Sequence, residues 1–162
     1  MIGYKNVGVF DEKYSRTILE LRGKIIFEGN AFIGHGSKIC VNESGILKFG
    51  KNTTISAESS IICYKSISFG NDCLISWENL FLDTDFHSIY DSDNNRINND
   101  DSIIIENNVW IGCRCSILKG THLKNYTIVA PHSLISRNYN GENQIIGGVP
   151  AMILKKGVSW KQ

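Results

Sequence analysis

The sequence has almost no excess charge and no long apolar stretch. Its 17 lysines and arginines and 16 aspartates and glutamates leave a net charge of +1, which gives no electrostatic reason to bind nucleic acid or an anionic membrane. No stretch is apolar enough and long enough to span a bilayer. Residues 1–10 lack the apolar region of a secretion signal. We therefore expect one domain that stays in the cytoplasm.

Cysteine pairs are also missing. The chain has five cysteines, an odd number that does not suit a disulfide framework. Only one residue separates Cys113 from Cys115, which is not the spacing of a zinc site, and no second pair accompanies them. The cysteines therefore favour a reducing compartment and indicate no cysteine-based metal site.

What the chain does have is a period of six residues, which neither a helix nor a simple hairpin produces. Apolar residues recur at this spacing: Phe27, Ile33, Ile39, Phe49, Ile55, Ile61, Phe69, Ile75, Ile105, Ile111, Ile117, Leu123, Val129 and Ile135. The fourth residue after the apolar one is usually small: Ala31, Ser37, Thr53, Ser59, Cys73, Cys115, Thr121, Thr127 and Ser133. Glycine often follows the apolar residue directly, and we attribute this to backbone conformations that other residues avoid. Hexapeptide repeats are typical of a parallel β-helix, whereas a β-sandwich has no fixed period of six.

We therefore predict an all-β chain with a β-helix over residues 25–162. Breaks in the repeat at 39–49, 61–69 and 75–105 predict loops, of which only the last is long. Residues 1–24 carry no repeat, and 11–21 could form a short helix or an irregular edge. We expect this segment to cover the open end of the coil, where strands would otherwise be unpaired.

The long interruption contains the candidate reactive group. Asp83, Asp85 and His87 alternate, so on an extended segment they would share one side. A histidine flanked by two acids suits proton transfer, because imidazole changes protonation near neutral pH. The same three side chains could also hold a metal ion, and the residues alone leave both readings open.

Two sequence blocks resemble the left-handed β-helix acyltransferases, which move acetyl groups from coenzyme A. The blocks are IIIENNVWIG with ILKG, at 103–120, and IGGVPA with ILKK, at 146–156. Within that family the chain is most similar to O-acetyltransferases of surface-polysaccharide synthesis, a comparison favoured by DTDFH at 83–87 and by VSW at 158–160. The resemblance covers residues 24–160 and implies the left-handed coil, acetyl-CoA as donor, no metal, a sugar or saccharide acceptor, and a homotrimer.

The chemistry that the resemblance implies suits the histidine. An alcohol is too weak an acid to ionise at neutral pH, so its proton must be removed as its oxygen attacks a thioester. The resemblance makes His87 this general base. Asp83 and Asp85 would orient the ring or stabilise the imidazolium.

The resemblance also implies a set of cofactor-binding residues. Trp110 matches a tryptophan that walls the acceptor pocket, and Cys113 and Ala130 match backbone positions that bond the pantetheine arm. Ser136, Arg137 and Lys155 match polar or basic residues near the far end of coenzyme A, where cations would bind its phosphates. Met152 stands where a basic residue is common.

Two other activities stay open on the same coil. An N-acetyltransferase acting on an amino-sugar nucleotide would share the fold and the cofactor. A γ-type carbonic anhydrase would need three zinc-bound histidines, two of them close together, and this chain has no close histidine pair.

Overall fold

The chain folds into six coils, each made of three short strands, followed by one antiparallel strand. The computed structural model describes residues 1–3, 8–11 and 13–161. None of these residues is helical, so none forms a helix that could cross a membrane.

Stacking the coils produces three sheets. The first sheet contains β1 (Ile18–Leu21), β4 (Lys38–Val41), β7 (Ser60–Cys63), β10 (Leu80–Leu82), β13 (Ser116–Leu118) and β16 (Leu134–Ile135). The second contains β2 (Lys24–Phe27), β5 (Ile46–Phe49), β8 (Ser66–Phe69), β11 (Ile103–Ile105), β14 (His122–Leu123) and β17 (Asn138–Tyr139). The third contains β3 (Ala31–Ile33), β6 (Thr53–Ile55), β9 (Leu74–Ile75), β12 (Trp110–Ile111), β15 (Ile128–Val129), β18 (Gln144–Gly148) and the antiparallel β19 (Ala151–Lys156).

Parallel pairing in register aligns the apolar residues of successive coils. Ile39 pairs with Ile61 in the first sheet, for example, and Ile55 pairs with Ile75 in the third. Every predicted apolar position except Phe27 is buried, and all nine predicted small residues are buried as well. The prediction of an all-β parallel β-helix built from hexapeptide repeats is confirmed.

Aromatic rings continue this alignment in the second sheet. The ring centroids of Phe27 and Phe49 lie 5.2 Å apart, and those of Phe49 and Phe69 lie 5.3 Å apart, in stacked pairs. Phe81 lies in the first sheet, and its ring meets that of Phe69 edge-on, with the ring centroids 5.0 Å apart. Phe81 lies six residues after Ile75, so the repeat continues one step further than the sequence analysis predicted, and the long loop begins only at residue 83.

The glycines that follow apolar residues serve close stacking rather than unusual backbone angles. A Cβ on Gly50 would lie 2.5 Å from the Gly70 carbonyl carbon, and one on Gly70 would lie 2.6 Å from that of Glu106. Residues with a positive, left-handed φ occupy the corners instead, directly before buried small residues. Glu58 (φ 58°) precedes Ser59 in this way.

The coil begins earlier than predicted. Strand β1 pairs with β4, so the boundary expected between residues 24 and 25 falls inside the first coil, and residues 18–21 form a strand rather than a helix. Ile2 forms a parallel bridge with Ile33 and extends the third sheet by one further step. In the described structure Leu19, Leu21 and Phe27 each keep 47% of their surface exposed, so the described part of the N-terminal segment covers this end only partly.

Candidate active site

The long loop, residues 83–102, leaves the first sheet after β10 and enters the second sheet at β11. It belongs to the line of turns that joins these two sheets. We call this line the loop edge; it consists of residues 22–23, 42–45, 64–65, 83–102, 119–121 and 136–137. The third sheet forms the opposite side of the three-sided coil.

Asp83 anchors the start of the loop. Its side chain is buried with no exposed surface. Its carboxylate accepts hydrogen bonds from the backbone N–H groups of Tyr64 (2.6 Å), Lys65 (2.9 Å) and Ser66 (2.8 Å) in the previous coil. Burial raises the pKa of Asp83, and the three N–H groups oppose this rise. These bonds hold the turn between β7 and β8, and none of them involves His87.

Beyond its base the loop folds back as a small hairpin. Tyr90 and Arg96 form an antiparallel bridge, and the Ile97 N–H donates to the Ile89 carbonyl at 2.9 Å. The Asp91 carboxylate closes the tip by accepting two backbone N–H groups, including that of Asn95 at 2.8 Å. The loop is therefore an ordered platform above the coil.

His87 stands on a sharp turn in this platform. Its N–H donates to the Asp85 carbonyl at 2.6 Å, with Phe86 between them at a φ of 60°. This is a three-residue γ-turn, a strained form for a residue with a side chain. The Asn98 side-chain amide holds the other flank by donating to the His87 carbonyl at 2.8 Å. The imidazole is exposed, and within the described chain its ring nitrogens have no hydrogen-bond partner.

The Asp85 carboxylate bonds to residues other than His87. Its carboxylate Oδ2 accepts the ammonium of Lys119 at 2.5 Å and the amide of Asn98 at 2.8 Å. The hydrogen bond from Lys119 lowers the pKa of Asp85, and the bond from Asn98 lowers it further. The three predicted members of a proton-transfer unit thus share one loop, but among the described residues neither carboxylate bonds to the imidazole of His87. Sequence reasoning missed Lys119 and Asn98, which meet Asp85 from distant positions in the chain.

The predicted cofactor residues around Trp110 lie on the third-sheet side. Trp110 faces outward on β12 with 38% of its surface exposed, and the ring of Trp160 lies 6.0 Å from it. The Trp160 indole donates to the Asn108 carbonyl at 2.7 Å and so fastens the C-terminal tail beside Trp110. The VSW motif at 158–160 includes Trp160, but the motif alone does not predict that Trp160 lies beside Trp110.

Cys113 and Ala130 occupy successive turns between the third and first sheets. The Ala130 N–H already donates to the Ile146 carbonyl at 2.8 Å, and its carbonyl accepts the Ser133 hydroxyl at 2.6 Å. The Cys113 carbonyl accepts the His132 N–H at 3.0 Å, while the Cys113 N–H has no partner among the described residues. Cys113 is therefore better suited than Ala130 to bond a ligand amide through its N–H group.

Ser136 and Arg137 lie on the loop edge in the last coil, whereas Lys155 lies on β19 at the end of the third sheet. Arg137 donates to the Ala151 carbonyl at 3.1 Å. It lines an open cavity of about 500 Å³ together with Lys156 rather than Lys155. Arg137 therefore shares this cavity with the second of the two adjacent lysines.

The predicted site residues divide between two sides of one protomer. The loop with His87 projects from the loop edge, and Trp110 and Cys113 lie on or beside the opposite sheet. No group of three or more histidine, cysteine, aspartate or glutamate side chains is placed to hold a metal ion in the part of the chain that the structure describes.

The family described as "Bacterial transferase hexapeptide (six repeats)" matches residues 102–137. An uncharacterized 24.8 kDa protein in the cps region of Klebsiella pneumoniae is 31% identical over 161 residues, a match that covers 99% of this chain and 71% of that protein.

Two solved structures share the coil. The polysialic acid O-acetyltransferase OatWY superposes with a TM-score of 0.72 at 31% identity, over 85% of this chain and 70% of that structure. The polySia-specific acetyltransferase NeuO gives a TM-score of 0.74 at 27% identity and again covers 85% of this chain. The match spans only 63% of the NeuO chain, which is less than two thirds of its length.

Proposed function

Because this chain belongs to the hexapeptide-repeat acetyltransferases, we propose that it moves an acetyl group from acetyl-CoA to a hydroxyl of a sugar or polysaccharide precursor. The resemblance stated from the sequence is confirmed at the level of the family. The polysaccharide acceptor rests on the similarity to two polysialic acid acetyltransferases.

The observation that carries the mechanism is the imidazole of His87. Hydrogen bonds from the loop to the N–H and C=O groups of His87 fix its backbone. The imidazole ring has no hydrogen-bond partner among the described residues. A general base needs a free ring nitrogen that can approach a hydroxyl proton to within hydrogen-bond distance. In the proposed reaction His87 accepts this proton as the acceptor oxygen attacks, and later returns it to the departing thiolate.

Acetyl-CoA would supply an activated acetyl thioester, and this chain has groups that fit it. The unpaired Cys113 N–H suits an amide carbonyl of the pantetheine arm, and the exposed face of Trp110 suits an apolar wall. Arg137 and Lys155 offer cations for the phosphate end, and Lys156 adds a third. Ala130 contributes through packing, because its N–H is committed to the sheet. Ser136 remains a predicted contact.

Asp83 and Asp85 serve the proposed reaction through the backbone of the loop. The Asp83 carboxylate fixes where the loop begins, and Asp85 fixes the turn that presents the histidine. Their predicted action on the imidazole itself is replaced in this proposal by positioning of the main chain.

The proposed assembly is a homotrimer, and the outward faces of the coil support it. A threefold ring requires each protomer to show two different surfaces, one to each neighbour. Apolar side chains dominate the outer face of the first sheet: Ile62, Leu80, Leu82, Leu118 and Leu134. They also dominate that of the third sheet: Phe32, Leu74, Trp110, Ile128 and Ile145. Polar residues outnumber apolar ones on that of the second sheet, where Ile26, Ile46 and Ile104 accompany Lys24, Lys48, Ser66, Ser68, His122 and Asn138.

A trimer would also reunite the two halves of the site. His87 and Trp110 lie on opposite sides of one protomer, so a neighbour's third sheet would have to meet the loop edge. Light scattering should therefore show a trimer, and a fully active monomer would contradict the proposed site. The proposed location is the cytoplasm, where reduced thiols such as the five free cysteines persist.

The test of the function is product formation from acetyl-CoA and a panel of saccharides, read by mass spectrometry. We expect mild alkali to remove the acetyl group from the product, because an O-acetyl ester hydrolyses under these conditions and an N-acetyl amide does not. An alkali-stable product on an amino sugar would establish the N-acetyltransferase instead. The absence of any acetylated product across the panel, with no release of coenzyme A, would overturn the proposal.

The test of the mechanism is His87→Ala, which should lower kcat by about 10²–10⁴-fold while the coil stays folded. His122→Gln is the matched control, because the His122 ring is already bonded to Glu106 at 2.7 Å. Near-native turnover of folded His87→Ala would refute the base. Loss of native activity with a chelator, restored by zinc, would favour the carbonic anhydrase alternative.

A further inference from the structure

The side chain of Lys119 connects the next coil to the middle of the long loop. Lys119 follows β13 on the loop edge, one coil beyond the loop. The Lys119 side chain keeps 22% of its surface exposed, and its ammonium is surrounded by three oxygen acceptors. They are Asp85 Oδ2 and the carbonyls of Asn98 (3.1 Å) and Asn99 (3.2 Å). All three N–H donors of the ammonium are therefore used on this one loop.

Two of the three acceptor residues, Asp85 and Asn98, also bond directly to the backbone of His87. Asn98 donates its side-chain amide both to Asp85 Oδ2 and to the His87 carbonyl, each at 2.8 Å. The Asn98 Oδ1 atom accepts the Ile89 N–H at 2.7 Å, and so fixes the residue that follows the turn by two positions. The Asp85 carbonyl accepts the His87 N–H. The ammonium thus joins the two arms of the loop around the histidine.

We infer that Lys119 is a positioning residue, which sets where the imidazole of His87 stands without touching the reacting atoms. This inference rests on the proposed role of His87 as the base. A catalytic group must be held within a fraction of an ångström of its productive place, and a displacement of 1 Å costs on the order of 10²-fold in rate. The γ-turn at Phe86 is strained, so it persists only if neighbouring contacts enforce it.

Lys65 provides a matched control on the same edge. Its ammonium bonds the Asp100 carbonyl at 3.2 Å and Asp101 Oδ1 at 3.1 Å. These partners lie at the end of the loop next to β11, and none of them bonds to His87. Lys65 and Lys119 therefore tie the same loop by the same kind of contact, but only Lys119 ties the part that carries the histidine.

The experiment compares Lys119→Met with Lys65→Met in the full chain. Methionine keeps the length of the stem and removes the charge and donors. Lys119→Met should lower kcat by about 10–10²-fold. It should leave the KM for acetyl-CoA within about twofold, since none of the residues proposed to bind acetyl-CoA changes. Lys65→Met should leave both within about twofold. Hydrogen exchange at the amides of His87 and Ile89 should accelerate in Lys119→Met alone.

Combining the substitution with loss of the base separates positioning from general support. If Lys119 acts through His87, adding Lys119→Met to His87→Ala should change the residual rate by less than about twofold. An equal loss in both backgrounds would overturn the inference, as would native turnover of Lys119→Met. Asn98→Ala, a change confined to the exposed loop, should reproduce the lysine effect even if the lysine variant folds poorly.

Failure of the inference is distinguishable from failure of the proposed function. Native turnover of His87→Ala, or no acetyl transfer at all, would remove the base and with it the proposed mechanism. An inactive His87→Ala beside a fully active Lys119→Met would leave the base in place and remove only the role of Lys119.

Discussion

Replacing Asp83 by asparagine should destabilise the coil while leaving every group that touches the substrate in place. The carboxylate is buried and accepts three backbone N–H groups, one on Oδ1 and two on Oδ2. In its better orientation asparagine puts its carbonyl at the Oδ2 position and keeps the two bonds to Lys65 and Ser66. Its amide nitrogen then faces the Tyr64 N–H, a donor against a donor.

The size of the effect follows from these contacts. Losing one hydrogen bond to a charged acceptor costs about 1.5–3 kcal/mol, and burying donors without acceptors adds about 1–3 kcal/mol. Removing a buried charge offsets part of this loss of stability, because burial disfavours the charged carboxylate and raises the pKa of Asp83. We expect a net loss of about 2–4 kcal/mol, which for a chain of this size lowers the Tm by roughly 5–15 °C.

Urea and thermal denaturation of Asp83→Asn measure this loss. Asp72→Asn is the matched control, because Asp72 lies at a corner with a left-handed φ of 54° that asparagine tolerates, and it should shift stability by less than about 0.5 kcal/mol. Turnover of Asp83→Asn, measured well below its Tm, should stay within a few-fold of native. An unchanged Tm with a loss of activity greater than about 10²-fold would refute this reasoning and restore the carboxylate to the proton-transfer unit.

Three further outcomes are expected. The bond from Lys119 lowers the pKa of Asp85 below its ordinary 3.8, so this pair should stabilise the loop above pH 3.8 and release it as the pH falls through the lowered value; amide protection factors across the loop would show the change. Trp160→Phe removes one hydrogen bond, worth about 0.5–1.5 kcal/mol, and should speed tryptic cleavage of the tail by about 2–10-fold without changing the Tm of the coil by more than a few degrees. Arg137→Ala and Lys155→Ala should each raise the KM for acetyl-CoA about tenfold or more and leave kcat little changed; unchanged KM in both would remove the phosphate assignment.

The scaffold could be predicted from the sequence because each position in the repeat has one place in the coil. A residue such as Ile55 faces the axis, and a residue such as Ser59 fills a corner, so composition at a fixed spacing determines the geometry directly. The location of His87 on a long loop could be predicted for the same reason, as the place where the repeat stops. Phe81 shows the limit of this method, because one repeat unit with no successor is hard to distinguish from chance.

The hydrogen bonds of the site could not be predicted, because they join residues one coil apart and the coil length varies. The Asp83 carboxylate bonds to residues 64–66 of the previous coil, in which Ser60 is the strand partner of Leu80. Lys119 reaches Asp85 across a coil that the loop itself has lengthened. Local alternation predicted that Asp83, Asp85 and His87 share one side, but both carboxylates bond to groups of neighbouring coils. The residues at 18–21 were missed because a first strand has no preceding repeat to align with.

The departure and return of the long loop at one edge has an evolutionary consequence. Thirty-six residues separate Leu80 from its strand partner Ser116, whereas eighteen separate Ser116 from Leu134, yet both pairs stay in register. The excursion adds length without shifting any strand, so insertions and deletions there are neutral to the solenoid beneath. Descendants of such a chain can therefore exchange loops while inheriting the same scaffold. Under the proposed function, transplanting residues 86–97 between relatives tests whether this loop influences acceptor choice, provided that the counterparts of Lys119 and Asn98 are kept.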